Sequence, residues 1–226
     1  MKHTPRILLI VLSLVAIAGA AAKPKIITFG RWTSVKWYVG DDENTAVEFK
    51  VRALAVNGDT KEFTTGEPHD VTDRAFVVHR AYRLNDTLTD DGKTPPKWKW
   101  QPGGWLMVDR GTAHISKLTL PEYDAFYSNA SWYRDLVAYC GVADNDKLYA
   151  MVVQIGRRKP VLKKLLGAAK NGDLPDSECA APVWQKQPTR VTFAPIGAEK
   201  ISFTVRGHAI EIAPDNSDDD ADPPKP

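Results

Sequence analysis

Apolar and polar residues alternate along much of the chain, which is the pattern of a β-strand with one buried face and one face in water. The clearest example runs from Ala46 to Val56, where charged residues separate the apolar ones. Asn57 and Gly58 follow at once, and both residues tolerate the positive φ angles of a tight hairpin turn. The pattern therefore predicts a β-hairpin in which Lys61–Thr65 is the return strand.

Several other segments have the same β-strand character, and turn-forming residues separate many of them. They are Ala75–Leu84, Trp105–Asp109, Ile115–Leu120, Leu136–Val142, Leu148–Ile155, Val191–Phe193, Ile201–Val205 and Ala209–Ile212. Such a succession of short strands predicts an all-β fold, either an antiparallel β-sandwich or a barrel-like sheet.

One segment favours a helix. Val161–Lys170 is rich in leucine, lysine and alanine, Pro160 precedes it and Gly172 follows it, which is the usual asymmetry of a helix. We therefore expect one short helix in the otherwise all-β body. Tyr123–Tyr139 is ambiguous between a helical turn and irregular chain that leads into a strand.

Two segments are expected to be long loops. Thr87–Gly104 contains two adjacent prolines and a Pro-Gly-Gly sequence, and it is too long for a simple hairpin turn. Asn171–Pro182 carries Cys179, which a disulfide would fix in place.

The two ends of the chain have compositions unlike the body. A basic start, an apolar run over Ile7–Ala18 and small residues up to Ala22 predict a cleavable signal peptide at residues 1–22; an uncleaved membrane anchor is the alternative. Residues 215–226 are acidic and proline-ended, so we expect a disordered tail. Between them, residues 23–214 form the β-rich body, as one unit or as two lobes.

The net charge of the full chain is +2. The tail holds five aspartates against one lysine, and the signal segment holds two cations and no acid, so the body carries about +4. That charge is far below what a nucleic-acid-binding protein carries, so we expect no nucleic-acid partner.

Two cysteines, Cys140 and Cys179, occur in the body. In an exported protein the default expectation is a disulfide between them, and the alternative is two free thiols. No nucleophile signature surrounds Cys140, so a catalytic cysteine is disfavoured. Together with the signal peptide, the pair predicts a secreted or periplasmic protein with no transmembrane span after cleavage.

Aromatic residues are dense between positions 98 and 133. Exposed aromatic faces can stack on sugar rings, lipid headgroups or a protein surface, whereas buried ones fill a core. The candidate ligand-binding residues are Trp98, Trp100, Trp105, Trp132 and Tyr133. The partners that they suggest are a glycan, an anionic lipid surface or an envelope protein.

The segment from Gly156 to Lys164 is the most basic part of the chain. It can dock on phosphate-bearing lipids or another polyanion, or it can be an ordinary solvated surface. The candidate residues for an anionic surface are Arg157, Arg158, Lys159, Lys163 and Lys164.

Signals for catalysis are weak. No nucleophile elbow, zinc-protease motif or phosphate-binding glycine loop occurs, and the histidines lack zinc-site spacing, so we expect no cofactor and no metal. Carboxylates near the aromatic region would suit glycoside hydrolysis. They are Asp109, Glu122, Asp124 and Asp135. The sequence therefore favours an exported, non-catalytic surface- or envelope-associated binding module, with a secreted glycosidase-like hydrolase or an accessory subunit of an envelope assembly as alternatives.

Overall fold

The computed structural model describes residues 24–38, 46–87, 95, 97–144, 146–168, 179–206 and 209–212. These residues form antiparallel strands joined by turns and irregular segments, which confirms the all-β prediction. No helix occurs among them, and so none of them forms a helix long and apolar enough to cross a bilayer. The predicted signal peptide and acidic tail lie outside the described residues.

An N-terminal sheet contains the first seven strands. They are β1 (Ile27–Phe29), β2 (Thr33–Tyr38), β3 (Ala46–Val56), β4 (Asp59–Asp70), β5 (Ala75–Asn85), β6 (Trp98–Asp109) and β7 (Ile115–Leu118). The strand order is β1-β3-β4-β5-β6-β7, and β2 pairs with the other half of β3. Strand β2 also lies alongside β6, which is distant from it in the strand order, so the sheet is curled.

A middle sheet and a C-terminal sheet contain the remaining strands. The middle sheet has the order β11-β10-β9-β8, and the C-terminal sheet the order β12-β13-β14-β15. Their bounds are β8 (Ser131–Tyr133), β9 (Leu136–Ala143), β10 (Lys147–Gln154), β11 (Leu162–Ala168), β12 (Cys179–Gln185), β13 (Arg190–Pro195), β14 (Ile201–Arg206) and β15 (Ala209–Ile212).

The predicted hairpin at Asn57-Gly58 is confirmed. Both residues have positive φ angles, 54° and 88°, and the turn joins β3 directly to β4. The side-chain oxygen of Asn57 also accepts a hydrogen bond of 2.9 Å from the backbone N–H of Ile26. The turn therefore also fixes the chain that enters β1.

The two central strands of the middle sheet, β9 and β10, are largely buried on both faces. Along β9, Val137 and Tyr139 pack against the N-terminal sheet, whereas Ala138 and Cys140 pack against the C-terminal sheet. This follows from the alternation of side chains along a strand, with an apolar layer on each side. The three sheets thus form successive layers with β9 at the centre.

The segment that leads into β8 packs on the edge of this central layer. The Tyr139 hydroxyl donates a 2.6 Å hydrogen bond to the carbonyl of Pro121, and the Ser128 hydroxyl donates one of 2.7 Å to the carbonyl of Cys140. Cys140 and Cys179 form the predicted disulfide, with their Cα atoms 6.0 Å apart. The bridge joins the middle sheet to the first residue of β12.

The prediction of a helix at Val161–Lys170 is wrong over the described residues, where Leu162–Ala168 is the strand β11. The segment pairs with β10, and Leu162 and Leu166 pack against the core of the C-terminal sheet. Backbone pairing and burial supplied by neighbouring strands override the local preference of leucine, lysine and alanine for a helix.

Both loop predictions were too long. The strand β6 already begins at Trp98, and β12 begins at Cys179. In β6, the Pro-Gly-Gly sequence forms a β-bulge: His79 lies opposite Trp105 and Ala81 opposite Pro102, so β6 has one more residue than β5. The bulge lets a proline and two glycines stay within a strand.

Candidate functional site

Two of the five candidate aromatic residues pack between the N-terminal and middle sheets, where Trp105 is buried and Trp132 is partly buried. Trp105 is 9% exposed and stacks on the ring of His79 at 5.1 Å between centroids. Trp132 meets Trp105 edge-on at 5.0 Å and stacks on His69 at 5.7 Å. The four rings form a continuous contact that joins the two sheets, and this geometry favours packing over ligand binding at Trp105 and Trp132.

Both histidines of this stack are held by backbone carbonyls. The Nε2 atom of His79 lies 2.6 Å from the oxygen of Gly103, and that of His69 lies 2.8 Å from the oxygen of Arg134. Burial lowers the pKa of His79, so its ring is neutral at pH 7. Nearby, burial raises the pKa of Tyr123 to about 12. In both His79 and Tyr123, burial therefore favours the uncharged form of the side chain.

Trp98 and Trp100 lie on the open part of the same sheet. Cross-strand pairing places Trp100 opposite Arg83, and Trp98 is the next residue along on the same face. The Arg83 guanidinium lies 4.3 Å from the centre of the Trp98 ring and 5.5 Å from that of Phe63. Phe63 meets Trp100 edge-on at 5.0 Å. We call Phe63, Arg83, Trp98 and Trp100 the Arg83 cluster.

The Arg83 cluster combines an exposed indole with a cation. Trp98 is 44% exposed, and Arg83 is exposed as well. Among the described residues, no carboxylate lies within ion-pair distance of Arg83. The ring of Trp98 fixes the orientation of the guanidinium, because the face of an indole attracts a cation. The arrangement can stack on a flat ring and can donate hydrogen bonds to an oxygen-rich ligand.

A second arginine stacks on aromatic rings on the opposite face of the N-terminal sheet. The Arg52 guanidinium lies 4.1 Å from the ring centre of Trp32 and 4.3 Å from that of Phe29. It differs from Arg83 in two respects: its side chain is only 12% exposed, and it forms an ion pair of 2.8 Å with Glu67. Its charge is therefore already compensated within the protein.

The remaining aromatic candidate, Tyr133, lies at one end of the middle sheet. Its ring stacks on Trp184 of β12 at 5.4 Å, and the Trp184 indole donates a 3.1 Å hydrogen bond to the carbonyl of Ser131. The Arg134 guanidinium lies 5.4 Å from the ring centre of Tyr133. The five candidates thus occupy three separate places rather than one site.

The basic candidates also separate. Arg157, Arg158 and Lys159 are exposed in the turn between β10 and β11. Lys163 instead forms an ion pair with Glu122 and lies 4.5 Å from the ring centre of Tyr149. The bond to the carboxylate raises the pKa of Lys163. Lys164 is an exposed residue on the opposite face of β11, so of the five basic candidates the three in the turn stay together.

Each candidate carboxylate has its own local role. Asp109 accepts bonds from Arg74 at 2.9 Å and from the backbone N–H of Thr112 at 2.8 Å, and the Thr112 bond contributes most to lowering its pKa. Glu122 pairs with Lys163. Asp124 accepts a bond of 2.7 Å from the N–H of Phe126, and Asp135 accepts one of 2.7 Å from Gln154.

These contacts favour structural roles for all four acids. The described part of the chain also contains no group of three or more histidine, cysteine or acidic residues that could hold a metal ion.

A shallow pocket of about 480 Å³ lies at the end of the N-terminal sheet that contains the β3–β4 turn. Its charged lining includes Lys61, Glu62 and His114. Glu62 is already bound to Arg80 at 2.9 Å, and Lys61 lies 3.5 Å from Asp59. Lys25 and His114 complete the ionisable lining, and this set of described residues does not form a recognisable catalytic pair.

Sequence reasoning missed Phe63 and Arg83, because their roles depend on strand register. Phe63 and Trp100 lie far apart in the sequence and meet only after β4, β5 and β6 have paired. Arg83 was simply a cation in a predicted strand. No protein-family model, curated protein or solved structure matches the chain.

Proposed function

We propose that this protein is an exported, non-catalytic binding module that holds a glycan at the Arg83 cluster. The observation that carries the proposal is the position of the Arg83 guanidinium against the exposed Trp98 ring, beside the Phe63–Trp100 pair. The ring offers a flat apolar face to a sugar, and the guanidinium offers N–H donors to its oxygens. Because Arg83 is a cation, the favoured ligands are glycans with acidic sugars.

Export is part of the proposal. The disulfide between Cys140 and Cys179 is compatible with an extracellular or periplasmic location, because such bonds persist in oxidising compartments. The basic and apolar composition of residues 1–22 supports the same location. A glycan of an envelope or an extracellular matrix is available in those places.

A glycan array with the protein lacking residues 1–22 tests the proposal. Trp98→Ala should weaken binding of the best acidic glycan about tenfold or more, which corresponds to about 1.4 kcal/mol. Arg83→Gln should weaken binding of acidic glycans more than binding of their neutral counterparts. Isothermal titration with the best ligand gives the affinities.

Trp32→Ala is the matched control. Trp32 is 39% exposed and also carries an arginine over its ring, but it belongs to the Arg52 pair on the other face. Its replacement should leave glycan affinity unchanged. The proposal fails if no glycan binds, or if Trp32→Ala and Trp98→Ala weaken binding equally.

A further inference from the structure

Three turns distant in sequence meet at one end of the middle and C-terminal sheets. The backbone N–H of Ile155, at the start of the β10–β11 turn, donates a 2.9 Å bond to the carbonyl of Asp135 in the β8–β9 turn. The strand β12 starts beside Cys140 and reaches Tyr133 with Trp184. The β12–β13 turn follows at once, so it lies at the same end.

This convergence concentrates positive charge. The segments 131–135, 154–161 and 184–190 contain six cations and one acid, Asp135, whose carboxylate accepts a bond from Gln154. Five of the cations are exposed, and we call them the basic end. They are Arg134, Arg157, Arg158, Lys159 and Lys186. The sequence showed only the middle three as neighbours.

Arg134 occupies a backbone position that does not suit arginine. Its φ angle is 54°, in the left-handed region where glycine and asparagine are favoured. The turn between β8 and β9 would form more easily with either of those residues. A cation at this position is therefore not explained by the geometry of the turn.

Aromatic and aliphatic side chains flank the basic end. The Tyr133–Trp184 stack lies directly beside Arg134, and Val183, the residue before Trp184, is 68% exposed. Tyrosine and tryptophan are enriched where a protein meets the headgroup layer of a bilayer, since their rings are apolar with one polar atom. Because the three turns lie at the same end of the two sheets, all of them can contact a flat surface at the same time.

We infer that the basic end docks the protein on the anionic surface of a lipid bilayer. This interaction is separate from glycan binding, because the basic end and the Arg83 cluster share no residue. Phosphate-bearing headgroups would meet the five cations, while Tyr133 and Trp184 lie at the headgroup level. Each cation near such a surface strengthens binding roughly fivefold, which corresponds to about 1 kcal/mol.

Co-sedimentation with vesicles tests the inference. The probes are phosphatidylcholine vesicles with and without phosphatidylglycerol, at about 0.15 M salt and at higher salt, where charge interactions are screened. The protein lacking residues 1–22 should bind only the anionic vesicles, and more weakly at higher salt. The double variant Arg157→Gln/Lys159→Gln should bind about 25-fold more weakly, at roughly fivefold per cation.

Two single variants test whether the surface is composite. Arg134→Asn and Lys186→Gln should each weaken vesicle binding about fivefold. Asparagine suits the positive φ angle, so Arg134→Asn should fold with an unchanged or higher melting temperature, which separates the role of the charge from a structural role. The control Lys36→Gln/Lys117→Gln removes two exposed cations elsewhere and should not change binding.

Several outcomes would overturn the inference. Equal binding to both kinds of vesicle, an equal loss in the control, or no effect of Arg134→Asn and Lys186→Gln would each do so. Binding to heparin without binding to anionic vesicles would assign the surface to a polysaccharide instead. The glycan affinity of the basic-end variants, measured in parallel, shows whether the Arg83 cluster is intact and keeps the two proposals distinguishable.

Discussion

The two halves of β6 place tryptophan in opposite environments. Trp105, in the second half, lies under the middle sheet and is nearly buried, whereas Trp98, in the first half, lies beyond that sheet and remains open. Both side chains belong to one strand and both contact a basic residue, His79 or Arg83. The difference shows that coverage by a second layer, rather than residue type, decides which tryptophan is core and which is surface.

Separate truncation of the two tryptophans should show the largest difference between the covered and the open half of β6. Trp105→Ala should lower the free energy of unfolding by about 3–5 kcal/mol, because it empties a space between two sheets. Trp98→Ala should cost less than about 1 kcal/mol, mainly through its lost contact with Arg83. Urea denaturation followed by circular dichroism measures both. Similar losses would show that the two sites are equally buried in solution.

Reduction of the disulfide tests the part of the molecule where the middle and C-terminal sheets pack together. The bond between Cys140 and Cys179 closes a loop of 39 residues, which in the chain-entropy model stabilises by about 4 kcal/mol and in practice by about 2–4 kcal/mol. We expect the melting temperature to fall by several degrees in reducing buffer. Thermal scans in the presence and absence of reductant measure this fall in melting temperature. The Trp98→Ala variant, which retains both cysteines, serves as a folded reference. An unchanged melting temperature would contradict the bridge.

Two glycines give a matched pair for the same contrast. A Cβ atom at Gly141, in β9, would lie 3.0 Å from the carbonyl oxygen of Glu122 and 3.1 Å from Met151 Cγ, whereas one at Gly104 meets nothing within 4 Å. Gly141→Ala should therefore destabilise by about 1–3 kcal/mol. Gly104→Ala should change stability by no more than about 0.5 kcal/mol. Equal effects in chemical denaturation would show that the centre of the middle sheet has room to adjust.

The smallest expected effect is a pH dependence at His79 of β5, which stacks on Trp105 at the buried end of β6. Burial lowers the pKa of His79 below its ordinary value of 6.5, so the unfolded chain binds a proton more readily than the folded one. Stability should therefore fall as pH decreases from about 6.5 towards the folded pKa, by at most about 1.4 kcal/mol per pH unit.

His79→Gln should flatten this slope, because it removes the group whose pKa burial lowers. Melting temperatures measured between about pH 7 and pH 5 give the slope. If the melting temperature of His79→Gln still falls with decreasing pH at the same slope, another titratable group causes it. The lowered pKa values of Asp86 and Asp109 affect stability only at more acidic pH.

Much of the fold was predictable from local pattern. The alternation over Ala46–Val56 and the Asn57-Gly58 turn specify a hairpin without any other part of the chain. By contrast, β11 resembles a helix because its leucines at positions 162 and 166 are spaced by four, and only pairing with β10 makes it a strand. Prolines and glycines likewise concealed the start of β6, since the bulge that accommodates them depends on β5.

The candidate sites were less accessible to sequence reasoning. The tryptophans at positions 98 and 100 were recognised, but Phe63 and Arg83 join them only through strand register. Lys163 was assigned to a cationic surface, whereas its partner Glu122 comes from a distant segment. Residues that act together across strands cannot be recognised from local sequence, because the sequence of one strand does not show which residues of another strand will lie beside it.

The bond from Cys140 to Cys179 has a further consequence for a chain that is cut by a protease. The exposed arginines at 157 and 158 are natural cutting points for a trypsin-like protease, and they lie between the two cysteines. A molecule cut there keeps its two fragments covalently joined. On a gel it would migrate as one species without reductant and as two with reductant, so a nicked protein could persist in a protease-rich environment as a single particle.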